Sequence, residues 1–225
     1  YGLAYSIGML VQLFISGMNS ALTPWMYSKI KKGDIRSMRK VLQLLSVVVV
    51  GIAVALMLIS PELVLIFGSP KYREAVYVIP PVAASVFFIF IYNILSMPQF
   101  YYEKTQFLMA ASMAAAGANV VLNFIFIRLF GYIAAGYTTL ACYMLYSVGH
   151  YIVSKRILVN EGIQENLMNP GFLLACSVFL IGASIICNLI FPYRILRYAI
   201  LLASAGLVFW KKELLLKTMA DIRKK

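Results

Sequence analysis

The chain is poor in charged residues and unusually rich in apolar ones. Only 12% of its 225 residues are charged, whereas 62% are hydrophobic and the mean hydropathy is +0.86. A soluble domain of this composition would have too little polar surface to cover its core. These values exclude an ordinary soluble globule and predict an all-α, polytopic membrane helix bundle.

Residues that carry chemistry are also scarce. The three cysteines and the one histidine, His150, lie in or at the ends of apolar runs, and all eight acids fall outside them. There is no nucleophile-base pair, phosphate loop or zinc-type spacing. We therefore predict no enzyme activity, no cofactor and no metal, and a packing or interfacial role for His150. The lack of acids within spans also counts against an ion-coupled antiporter.

Seven apolar runs are long enough, or nearly long enough, to cross a bilayer as helices. They form a transmembrane lobe over residues 1–210, followed by a basic cytoplasmic tail at 211–225. The predicted spans are 3–24, 41–60, 75–97, 105–127, 132–153, 171–191 and 195–210.

Glycine and proline mark the expected breaks in this pattern. Gly33-Asp34 predicts an interruption in the first basic loop, and Pro80-Pro81 predicts a kink or a late start of the third span. The run 63–67 is too short to cross and predicts a short interfacial helix. The last span is short, so we expect Arg197 to snorkel toward the membrane surface.

The basic residues divide unequally between the two sides that seven spans create. Only five lie on one side: Lys71, Arg73, Arg128, Arg194 and Arg197. The other 15 of the 20 lie on the opposite side, which the positive-inside rule places in the cytoplasm together with the C-terminus. Topology thus accounts for the net charge of +12 without nucleic acid, and membrane lipids are the expected surroundings.

Neutral polar side chains within the spans are the candidate site. Asn119 and Asn123 are one helical turn apart, so one partner helix or one cavity could meet both. Both readings stay open, although the stripe Ala110, Ala114 and Ala118 favours close helix packing for part of this face. The other candidates for the cavity are Gln12, Asn19, Asn93 and Arg128. Arg128 either snorkels or contacts a phosphate or acidic sugar.

Several short motifs resemble, in order, the polysaccharide-transporter branch of the multidrug/oligosaccharidyl-lipid/polysaccharide exporter superfamily. They comprise Tyr1 to Tyr5 with Pro24, Pro61-Glu62, Lys71-Tyr72, Val78 to Pro80, Lys104-Thr105, Asn119 with Leu122-Asn123, Phe130-Gly131, Ala134-Ala135 and Thr139. Arg128 stands where that family usually has proline, the usual Gly-Ala-Ala reads Ala134-Ala135-Gly136, and the aromatic before Pro24 is displaced to Trp25. The resemblance covers roughly residues 1–156.

This resemblance implies one lobe of a two-lobed flippase in the bacterial cytoplasmic membrane. The implied substrate is an undecaprenyl-diphosphate-linked oligosaccharide for surface polysaccharide. Because the chain starts at Tyr1, within an apolar run, we expect it to be the C-terminal half, paired with an N-terminal half of the same protein. The alternatives are a multidrug or cation antiporter of the same superfamily, and a scaffold or membrane-enzyme subunit.

Overall fold

The computed structural model describes residues 2–68 and 70–210, and most of these residues are helical. It contains eight α-helices and one 3-10 helix, and its described residues form no strand. The helices are α1 Gly2–Lys31, α2 Ile35–Leu58, α3 Ser60–Phe67, α4 Ile79–Tyr101, α5 Gln106–Phe130, α6 Ala134–Asn160, α7 Pro170–Ile190 and α8 Arg194–Trp210, with the 3-10 helix at Pro70–Tyr77 between α3 and α4. The predicted all-α class is confirmed.

Each predicted span corresponds to one long helix. The helices α1, α2, α4, α5 and α7 are long and apolar enough to cross a membrane. For α4, the apolar segment is Tyr72–Tyr101, which includes part of the preceding 3-10 helix. The crossing of α6 and α8 stays a prediction. Helix α8 has 17 residues and, at 1.5 Å per residue, spans about 26 Å, slightly less than a typical hydrocarbon layer. The predicted tail at 211–225 lies outside the described residues.

The predicted breaks are where the sequence placed them. Between α1 and α2, Gly33 adopts a left-handed φ of 67°, and the Asp34 side chain accepts a hydrogen bond from the Ser37 N–H as the α2 N-cap. Helix α4 starts late, with Pro80 and Pro81 in its first turn, where a missing N–H costs little. The short helix of 63–67 is confirmed as α3. Helix α1, however, continues through Pro24 to Lys31, beyond the predicted end of the span.

Helix α4 forms the centre of the bundle. Its sequence is apolar all round, as expected of a helix covered on every side, and most of its residues are buried. Helices α1, α2, α6 and α7 pack around it, and α5 packs against α6. None of the residues of α5 is buried, and the stripe Ala110, Ala114 and Ala118 is exposed. The described helices therefore do not use this stripe for packing.

Arg197 corrects the expectation that it would snorkel. It is only 2% exposed, and its guanidinium donates two hydrogen bonds of 2.8 Å to the Glu62 carboxylate and one of 2.7 Å to the Leu58 carbonyl. Tyr198 donates a further bond of 2.9 Å to Glu62. The partner lies 135 residues earlier in the chain. An arginine that satisfies its charge within the protein has no need to extend to the headgroups.

Candidate functional site

A cleft of about 580 Å³ is bounded by α4, α5 and α6, with Tyr5 of α1 at its side. We call it the polar cleft. Its walls carry an amide, hydroxyls and aromatic rings, and its lining residues are Tyr5, Tyr92, Ser112, Ala115, Ala116, Asn119, Val120, Thr139, Cys142, Tyr143 and Tyr146. Helices α5 and α6 are joined across it by a 2.7 Å hydrogen bond between the hydroxyls of Ser112 and Tyr146.

A second cavity of about 300 Å³ lies between α1 and α4. Tyr92 lines both cavities, so they adjoin on the same side of α4. The lining residues of this α1–α4 cavity are Gln12, Ile15, Ser16, Asn19, Ser20, Thr23, Ile89, Tyr92, Asn93 and Met97. Neither lining set, as far as the described residues go, includes a charged side chain. A ligand here would meet neutral donors, acceptors and rings.

The sequence candidates divide between these two cavities. Asn119 lines the polar cleft, whereas Gln12, Asn19 and Asn93 line the α1–α4 cavity. Asn93 donates 2.7 Å to the Ile89 carbonyl of its own helix, which leaves its side-chain oxygen as the acceptor. Asn19 is 8% exposed and is thus held deep in the wall.

Asn119 and Asn123 have different roles although they are one turn apart. Asn123 donates 2.8 Å to the Asn119 side-chain oxygen and accepts 2.6 Å from the Thr138 hydroxyl. It therefore ties α5 to α6 and does not line the polar cleft. Asn119 accepts that bond on its side-chain oxygen and lines the polar cleft, and its role in binding a substrate stays a prediction. Packing and cavity lining, the two alternatives for this pair, each apply to one member.

Arg128 lies outside both cavities. Its guanidinium sits 4.0 Å from the centre of the Phe124 ring, one turn earlier on α5, in a cation–π contact. The residue is exposed near the end of the helix. The structure thus does not bring Arg128 together with the amides.

Aromatic residues form the junction of the two cavities, and the sequence candidates did not include them. The Tyr92 ring stacks on Tyr143 at 6.2 Å with an interplanar angle of 3°, and packs on Tyr146 at 4.7 Å. Behind them, buried His150 contacts Tyr146 and shares a 2.8 Å hydrogen bond with Gln99. The available signal was the spacing of Tyr143 and Tyr146, which places both on one face of an otherwise apolar helix.

Comparison with known proteins identifies the family. Residues 1–125, which cover α1 to α4 and most of α5, match the MatE family. The chain belongs to the MatE family. MatE proteins are membrane transporters of the multidrug/oligosaccharidyl-lipid/polysaccharide exporter superfamily, so this is a multi-pass membrane protein of a transporter family, not of an enzyme family. No curated protein and no solved structure matches the chain.

Proposed function

We propose that this MatE-family protein is a flippase for a lipid-linked oligosaccharide, carried on undecaprenyl diphosphate, in the bacterial cytoplasmic membrane. The observation that carries the proposal is the pair of adjoining cavities around Tyr92, which offer amides, hydroxyls and tyrosine rings and no charge among their described lining residues. Sugars present many hydroxyls together with apolar ring faces. Neutral amides bind the hydroxyls, and aromatic rings cover the faces.

A flippase has to shelter a polar head group from hydrocarbon while the lipid tail stays in the bilayer. A cavity wall of neutral polar groups can shelter the head group at a low free-energy cost, because no unpaired charge has to be desolvated. The other half of the cavity would come from an N-terminal lobe, as the resemblance implies. Helix α5, which lines the polar cleft, has no buried residue among the described helices, so such a lobe would have a free surface to pack against.

Complementation tests this proposal. The complete gene is expressed in strains that lack their own O-antigen or capsule flippase, and surface glycan is measured at matched protein level. We expect restored export in at least one glycan background, and loss of that export when Tyr92 is replaced by alanine. Restoration that is indifferent to Tyr92→Ala contradicts the assignment of the cavity, and failure in every background contradicts the proposed substrate.

A multidrug or cation antiporter is the second candidate. The MatE match is compatible with it, because the superfamily also contains multidrug exporters. The observation that favours it is the cluster of Tyr92, Tyr143 and Tyr146 rings, which could hold an organic cation through cation–π contacts. Expression in a strain that lacks its efflux pumps separates the candidates. Increased tolerance of cationic dyes without glycan export would replace the flippase proposal with this one.

A further inference from the structure

An apolar groove of about 280 Å³ lies between α6 and α7, on a face of α6 that is turned away from the polar cleft. Helices α6 and α7 each pack on α4, and the groove runs between them. Phe88 and Ile91 of α4 form its floor, Val148 and Tyr151 of α6 one wall, and Leu173 and Leu174 of α7 the other. We call it the α6–α7 groove.

The groove offers little to a hydrated ligand. Its two serine hydroxyls are already satisfied by backbone: Ser147 donates 2.9 Å to the Phe88 carbonyl and Ser177 donates 2.8 Å to the Leu173 carbonyl. Apart from the Tyr151 hydroxyl, the remaining lining is aliphatic or aromatic. A hydrocarbon chain is the ligand that gains from such a surface, and a groove just below the usual size of ligand pockets, roughly 300–1,000 Å³, has room for one chain.

Basic residues lie at one end of this groove. On α6, Val148 and Tyr151 belong to a stripe that continues one turn further to Lys155, which is exposed. Arg39 of α2 donates a 2.7 Å hydrogen bond to the Asn166 carbonyl. Asn166 lies in the loop that leads to Pro170, a lining residue of the groove. Glu165 lies 3.5 Å from Arg39 and offsets one of the two charges. The end of the groove thus keeps a positive excess on the predicted cytoplasmic side.

The geometry separates this groove from the transported substrate. At 100° per residue, the α6 positions of the polar cleft, such as Thr139 and Tyr146, and those of the groove, such as Val148 and Tyr151, face in widely different directions. On α4, the groove residues Ile91 and Leu95 likewise face away from Asn93 and Met97 of the α1–α4 cavity. A chain attached to a sugar in the polar cleft would have to pass around a packed helix to reach the groove.

We propose that the α6–α7 groove is a binding site for an anionic phospholipid of the cytoplasmic leaflet. One acyl chain occupies the groove, and the phosphate lies between Lys155 and Arg39. Both parts of the lipid are complemented, the chain by the apolar walls and the phosphate by charge-assisted hydrogen bonds. The inference is independent of the proposed function, because it holds for either class of transported substrate.

Native mass spectrometry of the complete protein tests this site with two probes, phosphatidylglycerol and phosphatidylcholine. We expect the wild type to retain phosphatidylglycerol preferentially. Lys155→Gln should weaken that binding about fivefold, which is the effect of about one lysine at an anionic membrane surface. Lys155→Arg should keep it. The matched control is Arg156→Gln, since Arg156 is equally exposed but a quarter-turn away from the stripe.

Substitutions that fill the groove provide a second, independent test of the lipid site. Val148→Trp should reduce retention of both lipids, whereas Leu145→Trp, on an exposed part of α6 outside the groove, should not. The proposal is overturned if the wild type shows no preference for phosphatidylglycerol, if Lys155→Gln and Arg156→Gln behave alike, or if Val148→Trp retains lipid like Leu145→Trp. Lys155 lies at the surface, so its variants stay informative even if Val148→Trp does not fold.

Discussion

At the scale of single residues, hydrogen bonding decides which polar side chains are available to a ligand. The side-chain amide of Asn123 is hydrogen-bonded to both Asn119 and Thr138, whereas Asn119 lines the polar cleft. A buried amide inside a membrane helix therefore does not identify a site until its partners are known. This gives the two asparagines opposite expected phenotypes.

Asn119→Leu should reduce transport more than it reduces stability. Losing one hydrogen bond to the substrate costs about 1 kcal/mol, which is roughly fivefold in apparent affinity. Asn123→Leu should instead lower the melting temperature and leave transport per folded molecule nearly unchanged, because Thr138 can still donate to the Ala135 carbonyl. Transport by the complete protein and thermal unfolding in detergent measure the two effects. Equal transport by both variants would refute the cleft role of Asn119.

At the scale of secondary-structure elements, two contacts join helices that are distant in sequence. A Cβ added to Gly136 of α6 would come within 2.8 Å of the Pro81 ring and 3.2 Å of Val78, so the glycine is what lets α6 approach the start of α4. At the other end of the chain, the Glu62 and Arg197 ion pair fastens α8 to the junction of α2 and α3. Both contacts join segments far apart in sequence.

Gly136→Val should destabilise the bundle by about 1–3 kcal/mol through overpacking. The proline ring cannot rotate away, so α6 has to move. Gly117→Ala is the matched control, since nothing lies within 4 Å of the added Cβ and alanine favours a helix. Thermal unfolding of both variants checks the prediction. A melting temperature of Gly136→Val equal to that of the wild type would mean that α4 and α6 are less closely packed than described.

Glu62→Gln should cost about 2 kcal/mol, less than the roughly 3–5 kcal/mol of a fully buried pair because the Glu62 side chain is 24% exposed. The hydrogen bonds from Arg197 hold the Glu62 pKa below its usual 4.5. The stabilisation is therefore complete above about pH 4.5 and is lost as the pH falls through the lowered value in the folded state.

The free energy of unfolding, measured at pH 7 and near pH 4, tests this direction of the pH dependence. The wild type should lose stability toward acid, and Glu62→Gln should show a smaller loss over the same range. Glu165→Gln, which removes a half-exposed carboxylate 3.5 Å from Arg39, is the control and should change stability by less than about 1 kcal/mol. An acid dependence of Glu62→Gln as steep as that of the wild type would contradict the prediction.

At the scale of the whole molecule, the order of the helices decides which charged loops lie on the same side of the lobe. The turns that join α1 to α2, α4 to α5 and α6 to α7 lie on one side if the long helices cross the membrane in alternation. They also contact one another through charge, since Lys104 pairs with Glu161 at 2.6 Å and Arg39 with Glu165. This grouping agrees with the side that the basic residues assign to the cytoplasm.

Cysteine labelling checks the orientation in intact cells. With a membrane-impermeant maleimide added from outside, Tyr72→Cys should react, because Tyr72 is exposed in the 3-10 helix on the predicted external side. Lys32→Cys, exposed between α1 and α2, should react only after the cells are permeabilised. The unsubstituted protein, whose own cysteines lie in α6 and α7, is the control. The reverse pattern would invert the topology.

The sequence alone determined the class of the protein, the seven long helices and the breaks between them. Each of these depends on neighbours in the chain: apolar run length, a glycine that allows positive φ, or prolines that are favoured in a first helical turn. Only the tertiary structure decided that Asn119 and Asn123 differ, that Tyr92 joins two cavities, and that Arg197 is buried against Glu62. Helical periodicity shows which residues share a face, but it does not show what that face packs against. Contacts between residues up to 139 positions apart settle that question.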